Sequence, residues 1–303
     1  KSLTGQELQD AENLQYALKT LANAFYGYMG FASSRWYSRV CAKAAAAFGR
    51  FYIKQILDLA TGGGHEVVYG DTDSLFIKMP SKKAAREFLK NANNSLPGMI
   101  EMEFKGMYKR GIFIEAQTGL GAKKKYAMLD ENDNLIVRGL ETRRRDWSSI
   151  AKDTQERILL AVLREKSTPI AIEIVAETIR RLKEGKVNMD DLVIYTQLTK
   201  PLDKYEQIGP HVAVAQKMAM RGDNIKEGMT ISYVITKGHG SISERAEQPD
   251  EAKNYDPDYY IENQVVPAAM RILSAVDVDK ELLLRSEEQS NLSGFFMRGH
   301  KPK

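Results

Sequence analysis

Two runs of β-branched and aromatic residues, Glu66-Val67-Val68-Tyr69-Gly70 and Ser74-Leu75-Phe76-Ile77, flank an Asp71-Thr72 pair with the chemistry of a tight turn, and Asp73 follows directly. Such a pattern closes into a hairpin. The turn lifts Asp71 and Asp73 to the tip of a stiff two-stranded element. Gly70 leaves room beside them, since a residue without a Cβ lets a second backbone or a ligand come close. Carboxylates held in this way suit Mg²⁺, a hard cation that takes oxygen ligands and shares them with substrate phosphates. An Asp-x-Asp tip is equally the chemistry of a solvated turn, so the rest of the chain has to decide between the two.

At 303 residues the chain is too long for one small core, and two or three substructures are expected. No apolar run approaches the ~18 residues that a membrane span requires. The first residues, Lys1-Ser2-Leu3-Thr4, hold neither an initiator Met nor the apolar stretch of a signal peptide, as expected of a processed chain or of one cut from something longer. Cys41 is the only cysteine, which excludes an intrachain disulfide and points to an intracellular setting. The four histidines lie far apart with no cysteine beside them, which argues against zinc.

A net charge of +4 is mild, but its distribution is uneven. Lys123-Lys124-Lys125 and Arg143-Arg144-Arg145 bracket one expected hairpin, concentrating positive charge on a small surface. Each cluster alone is compatible with a solvated face; the two together favour a phosphate backbone.

Thr4 followed by Glu7 has the spacing of a capping box, so the first helix is expected to start there. Leu14, Leu18, Leu21 and Phe25 recur at helical spacing and form an apolar stripe. On another face Lys19, Asn23 and Tyr26 fall within roughly 60° of arc. A cation, an amide and an aromatic so placed suit a phosphate, a sugar and a base, or a half-buried polar seam. Gly27 and Gly30 are expected to interrupt the helix, and an alanine-rich helix follows over residues 36–60. Residues 61–64 form a flexible turn into the acidic hairpin, residues 81–94 a helix, and residues 99–104 and 111–115 strands. A hairpin is expected from residues 125–129 and 135–137 around Asp130-Glu131-Asn132-Asp133-Asn134. Past Trp147 come amphipathic helices over residues 148–164, 169–183 and 210–221, a strand over 228–236 and a helix over 258–275. Pro169 suits the first turn of its helix. The composition shift near Asp146 marks the expected domain boundary.

Taken in order, these segments resemble family B DNA polymerases, the archaeal ones most closely. Lys19-Thr20-Leu21-Ala22-Asn23-Ala24-Phe25-Tyr26-Gly27 resembles the fingers-helix motif Lys-x3-Asn-Ser-x-Tyr-Gly, with Ala24 where serine is common. Tyr69-Gly70-Asp71-Thr72-Asp73-Ser74 is similar to the palm motif, and Lys124-Lys125-Tyr126 to the Lys-x-Tyr motif that touches the primer–template duplex. Arg138-Gly139-Leu140-Glu141 with Arg144-Arg145-Asp146-Trp147 resembles the junction from palm to thumb. Gly209-Pro210-His211-Val212-Ala213 and Tyr259-Tyr260-Ile261-Glu262-Asn263-Gln264 are similar to thumb segments. The chain also departs from the family. The earlier palm motif Asp-x-x-Ser-Leu-Tyr-Pro, with its catalytic carboxylate, has no counterpart, nor do the N-terminal domain, the proofreading exonuclease and the first fingers helix. The Gly-rich stretch of residues 116–122 is longer than the family norm.

The resemblance implies an α+β fold that is part of a polymerase right hand. Residues 1–30 would be one fingers helix, 31–146 the C-terminal half of the palm (an antiparallel sheet with helices), 147–285 a mainly helical thumb, and 286–303 a tail. It implies template-directed nucleotidyl transfer by two Mg²⁺ ions, completed by a larger chain carrying the missing aspartate and the exonuclease. Asp73 would be the direct metal ligand and Asp71 its support, the two forming the catalytic pair. Lys19, Asn23 and Tyr26 would bind the incoming dNTP, and Lys124, Tyr126, Arg144 and Arg145 the primer–template DNA. The implied setting is cytoplasmic and nucleoid-associated, with no membrane.

Gln289-Ser290-Asn291-Leu292-Ser293-Gly294-Phe295-Phe296 fits Gln-x-x-aliphatic-x-x-aromatic-aromatic and resembles the sliding-clamp interaction box. Gln289, Leu292, Phe295 and Phe296 would seat one helical turn in a groove of the clamp; the other possibility is a tail docked on its own thumb. Two functional readings remain. One is the small subunit of a split polymerase, or a fragment of a larger one. The other is a non-catalytic module of polymerase-like shape that binds duplex DNA and the clamp. Intact Lys19, Asn23, Tyr26, Asp71 and Asp73 favour the enzyme, because a retired site has no physical need for buried unpaired charges.

Overall fold

Helix α1 (Gln6–Gly30) shows where local signals and the fold part company. In the computed structural model, which describes residues 4–115, 121–279 and 283, Gly5 precedes α1 at φ 58° and no side chain caps the helix. The capping box expected at Thr4 and Glu7 is therefore not formed. Nor does Gly27 interrupt the helix, which runs on to Gly30. An internal glycine costs about 1 kcal/mol, which a helix of 25 residues absorbs.

Serine caps start the next two helices. Ser38 Oγ accepts the Cys41 N–H at 3.3 Å to open α2 (Arg39–Gly62), and Ser81 Oγ accepts the Ala84 N–H at 3.2 Å to open α3 (Lys82–Asn94). Between them β1 (Val67–Asp71) and β2 (Ser74–Ile77) pair antiparallel. Tyr69 faces Phe76, Gly70 faces Leu75 and Asp71 faces Ser74, so the turn is Thr72-Asp73, one residue later than expected. The expected strand over residues 99–104 is absent. That segment has no sheet pairing; Asn93 clasps it instead, accepting the Met102 N–H at 2.8 Å and donating to the Met102 carbonyl at 3.1 Å.

The chain divides into two compact units, residues 1–105 and 106–303. The composition change near Asp146 falls inside the second. This unit opens with an antiparallel sheet of β3 (Tyr108–Glu115), β4 (Gly121–Asp130) and β5 (Leu135–Arg138), in that order. The polar β4–β5 turn is organised by Asp130, whose Oδ1 accepts the N–H groups of Asn132 and Asn134, both at 2.8 Å. The Asn134 side-chain amide, which donates to Oδ2 at 2.9 Å, and then these backbone bonds hold its carboxyl below the usual range.

Helix α4 (Ser149–Leu160) widens into a π-turn, Ala161–Glu165, closed by Lys166 in the left-handed conformation. Ser167 then caps α5 (Thr168–Lys183), with Pro169 in the first turn as expected. Next come β6 (Ile194–Gln197), α6 (Pro210–Met220), β7 (Thr230–Ile235), β8 (Ala246–Glu247) and α7 (Pro257–Tyr260), then a second π-turn, Ile261–Val265, and α8 (Val266–Leu273). The second sheet is antiparallel, with β7 between β6 and β8. Short β6 and β8 lacked a sequence signal.

The connected hydrophobic core belongs to the second unit. Ile158, Leu159, Ile179, Leu182, Ile194, Ile235 and Ile272 are essentially inaccessible, each contributing about 1.5–3 kcal/mol by leaving water. The α+β expectation holds: helices predominate, with small antiparallel sheets. Among the described residues no helix is long and apolar enough to cross a membrane.

Candidate functional site

The first unit carries the acidic hairpin. Asp71 closes β1, and its Oδ1 accepts the Thr72 N–H at 2.8 Å and the Thr72 hydroxyl at 3.2 Å, which fixes the carboxylate against the turn. Asp73 occupies the turn and is exposed. The space expected beside Gly70 is partly filled, because a Cβ there would lie 3.0 Å from Leu75 Cδ2. The obstruction is the end of a flexible side chain, so the approach is narrowed and not sealed. Two carboxylates are hard oxygen donors and fit part of a Mg²⁺ shell. Among the described residues no group of three His, Cys, Asp or Glu side chains could hold a metal ion.

Lys19, Asn23 and Tyr26 lie on α1 as expected and all three are exposed. The charges expected to be buried are not buried on this helix: α1 buries none of its residues, and Lys19 remains in contact with water. Helix α1 packs on α2, and α2 supports both strands of the hairpin. One acid here escaped the sequence reading. Glu103 pairs with Lys105, which holds its carboxyl below the usual range, and Lys19 adds a smaller attraction in the same direction. Lys19 is thus within electrostatic reach of Glu103. The alternation Glu101-x-Glu103 was the available signal.

The second unit carries the basic residues. Lys124 adopts φ 64°, and Gly139, at φ +66°, lies against it so closely that a Cβ would fall 2.1 Å from the Lys124 carbonyl oxygen. Only glycine fits there. Tyr126 is half-buried, pairs with Phe113 and Arg138 across the sheet, and packs on Phe113 at a ring distance of 5.7 Å. Arg143, Arg144 and Arg145 are exposed. They are not equivalent. Arg144 binds Asp146 through two bonds, Nε to Oδ1 at 2.9 Å and Nη2 to Oδ2 at 2.5 Å, and this fork holds the Asp146 carboxyl low. Gln289, Leu292, Phe295 and Phe296 lie outside the described residues, as do residues 116–120 of the Gly-rich stretch.

The first unit thus carries an acidic hairpin and a helix bearing a cation, an amide and an aromatic, and the second is an α+β unit with three exposed arginines. Comparison with known proteins identifies the family. The family model for DNA polymerase family B matches residues 2–276. A DNA polymerase of Thermococcus gorgonarius is 47% identical over 278 residues, covering 88% of this chain and 35% of that protein. One from Pyrococcus glycovorans is 43% identical over 293 residues, covering 93% and 37%. Among solved structures, the family B DNA polymerase from the hyperthermophilic archaeon Pyrobaculum calidifontis aligns with a TM-score of 0.67 at 37% identity, covering 92% of this chain and 36% of that one. The chain belongs to DNA polymerase family B. It spans little more than a third of the length of these relatives.

Proposed function

We propose that this chain is the C-terminal part of a DNA-directed DNA polymerase, active in template-directed nucleotidyl transfer once a larger polypeptide supplies the remaining palm carboxylate and the exonuclease. The observation that carries this reading is the pair of aspartates at the tip of the family's hairpin, in a chain about a third of the relatives' length. In this reading residues 1–30 are the fingers helix, 31–146 the palm half, 147–285 the thumb and 286–303 the clamp-binding tail.

Asp73 offers an exposed oxygen ligand, and Asp71, held by Thr72, supports it. Mg²⁺ bound there would activate the attacking primer oxygen and stabilise the leaving one. Lys19 neutralises charge on the dNTP triphosphate as a compact point charge. Asn23 bonds the phosphates and Tyr26 packs beside the nascent base pair. Lys124 and Tyr126 touch the duplex behind the growing end, and the arginine segment binds backbone phosphate, positioning DNA without reading its sequence. Gln289, Leu292, Phe295 and Phe296 dock a sliding clamp. The enzyme works on DNA in the cytoplasm, associated with the nucleoid.

Primer extension with the purified chain, with and without a polypeptide carrying the remainder of an archaeal family B polymerase, tests this. The chain alone should not extend a primer, and the combination should do so in a Mg²⁺-dependent manner. Asp73→Ala should abolish incorporation by the combination while leaving duplex binding largely intact, because affinity comes mainly from phosphate contacts. Robust extension by the unaided chain refutes the split arrangement. Duplex binding without extension by the combination favours a non-catalytic DNA- and clamp-binding module.

A further inference from the structure

Residues 141–148 form a loop with two different sides. Outward, Arg143, Arg144 and Arg145 are exposed. Inward, a buried glutamine holds each end. Gln155 of α4 accepts the Thr142 N–H at 3.1 Å through Oε1, while its Nε2 donates to Glu141 Oε2 and to the Ala268 carbonyl of α8, both at 2.8 Å. Gln264, in the second π-turn, accepts the Ser148 N–H at 2.9 Å. Glu141 is only 1% exposed, and Arg271 Nε lies 3.3 Å from its Oε1 and balances the charge. Between the ends Arg144 is forked onto Asp146, and the Arg145 carbonyl accepts the Tyr195 N–H at 3.4 Å.

A buried amide side chain adds little net stability over an apolar one of the same shape, but it dictates the course of the backbone it bonds. Here both amides act on the two flanks of three consecutive arginines. Arg144 is forked onto Asp146 at the surface, which leaves Arg143 and Arg145 as the cations without that partner.

We propose that Gln155 and Gln264 are positioning residues for duplex binding: they pin both ends of the arginine loop so that Arg143 and Arg145 meet backbone phosphates already ordered. The inference rests on the reading of this loop as a DNA contact given above. Ordering before binding removes an entropic cost of association, and each neutralised phosphate steepens the salt dependence of binding by roughly 0.9 in log–log slope.

The test is equilibrium binding of the full chain to a primer–template duplex over a salt series. The proteins are the unmodified chain, Gln264→Met, the Arg143→Ala/Arg145→Ala double variant, and the triple variant. The arginine variant should bind about tenfold or more weakly at low salt, with a slope reduced by about two. Gln264→Met should weaken binding several-fold and lower the slope, yet change nothing further in the arginine background, because coupled residues are non-additive. No binding by the unmodified chain, or unchanged binding by the arginine variant, removes the underlying reading of the loop. An arginine effect joined to an absent or fully additive Gln264→Met effect overturns the positioning role alone. If Gln264→Met does not fold, hydrogen exchange of the unmodified chain decides. The Thr142 and Ser148 amides should exchange as slowly as those of β4, and exchange at loop rates overturns the proposal.

Discussion

At Gly139 a single missing side chain leaves room for the Lys124 backbone, which the function proposed above places beside the duplex. Gly139→Ala forces a left-handed alanine, at about 1–3 kcal/mol, and drives its Cβ into the Lys124 carbonyl oxygen. The variant should unfold at lower denaturant and bind duplex DNA more weakly, because the Lys124 backbone must move; unchanged stability and affinity together would refute the assignment. A second residue-scale prediction concerns pH. Burial, the neighbouring Tyr233 and a weaker opposing bond from Gln264 set the Tyr259 phenol, pushed up to about 12, and burial also raises Tyr233 and Tyr260. The folded state thus favours the neutral phenols. Their contribution is fully present below the unfolded value near 10 and is lost as pH rises from there through about 12. For Tyr259 the loss amounts to about 2–3 kcal/mol. Denaturation midpoints across this alkaline range should fall for the unmodified chain and fall less for Tyr259→Phe; identical profiles would contradict the burial argument. Single residues were legible in the sequence when their chemistry was local. Asp71, Asp73, Lys19, Asn23 and Tyr26 stand on the elements expected of them. Gln155 and Gln264 were not legible, because the groups they hold include Ala268 and Ser148, separated from them by 113 and 116 residues of chain.

Among elements, the junction of β7, β8 and α7 depends on one enclosed ion pair. Arg245 binds Asp256 and donates to the Thr236 carbonyl at 3.2 Å, with side-chain exposures of only 17% for the arginine and 14% for the aspartate. Asp256 also caps α7, accepting the N–H groups of Asp258 at 3.1 Å and Tyr259 at 3.3 Å. Removing Arg245 leaves the partly buried Asp256 carboxylate with its two helix N–H donors alone. Arg245→Ala should therefore destabilise the second unit by about 1–3 kcal/mol, the usual cost of a lost charge-assisted hydrogen bond, read by urea denaturation, with no measurable loss counting against the pair. None of this was visible in composition or periodicity. The elements that were visible are those with local signatures: the alanine-rich run of α2, the proline in the first turn of α5, and the polar turn between β4 and β5. Those that went wrong depend on partners. Residues 99–104 carry a strand pattern, yet a strand exists only where a neighbour pairs with it, and Asn93 takes that place here. The π-turns at Ala161–Glu165 and Ile261–Val265 add a residue to a helical turn without changing the apolar period enough to be read.

Among the described residues burial is uneven between the two units. The first unit buries few hydrophobic side chains (Ile56, Ala60, Ala85 and Ala92 among the described residues), whereas the connected core lies in the second. The apolar stripe expected on α1 is present but open to water, with Leu14 at 61%, Leu21 at 65% and Phe25 at 48% exposure. Trp36, Phe48 and Phe51 extend the exposed apolar surface around α1 and α2. Apolar surface on this scale marks an interface or an aggregation liability. The relatives, at 47% and 43% identity, carry nearly two-thirds of their length outside the aligned region, and under the function proposed above a polypeptide supplying that remainder would cover this surface. The complex should be of obligate size, burying more than about 2,000 Å² in total. Hydrogen exchange on the isolated chain should be fast along α1 and slow through α4, α5 and α8; adding the partner should protect α1. Leu21→Asp combined with Phe25→Asp should cut complex formation at least tenfold, since two charges would be desolvated in the interface, about 1.4 kcal/mol or more, while leaving the denaturation of the second unit unchanged. A monodisperse isolated chain whose α1 amides are already protected, and which does not bind such a polypeptide in sedimentation, would overturn the assembly.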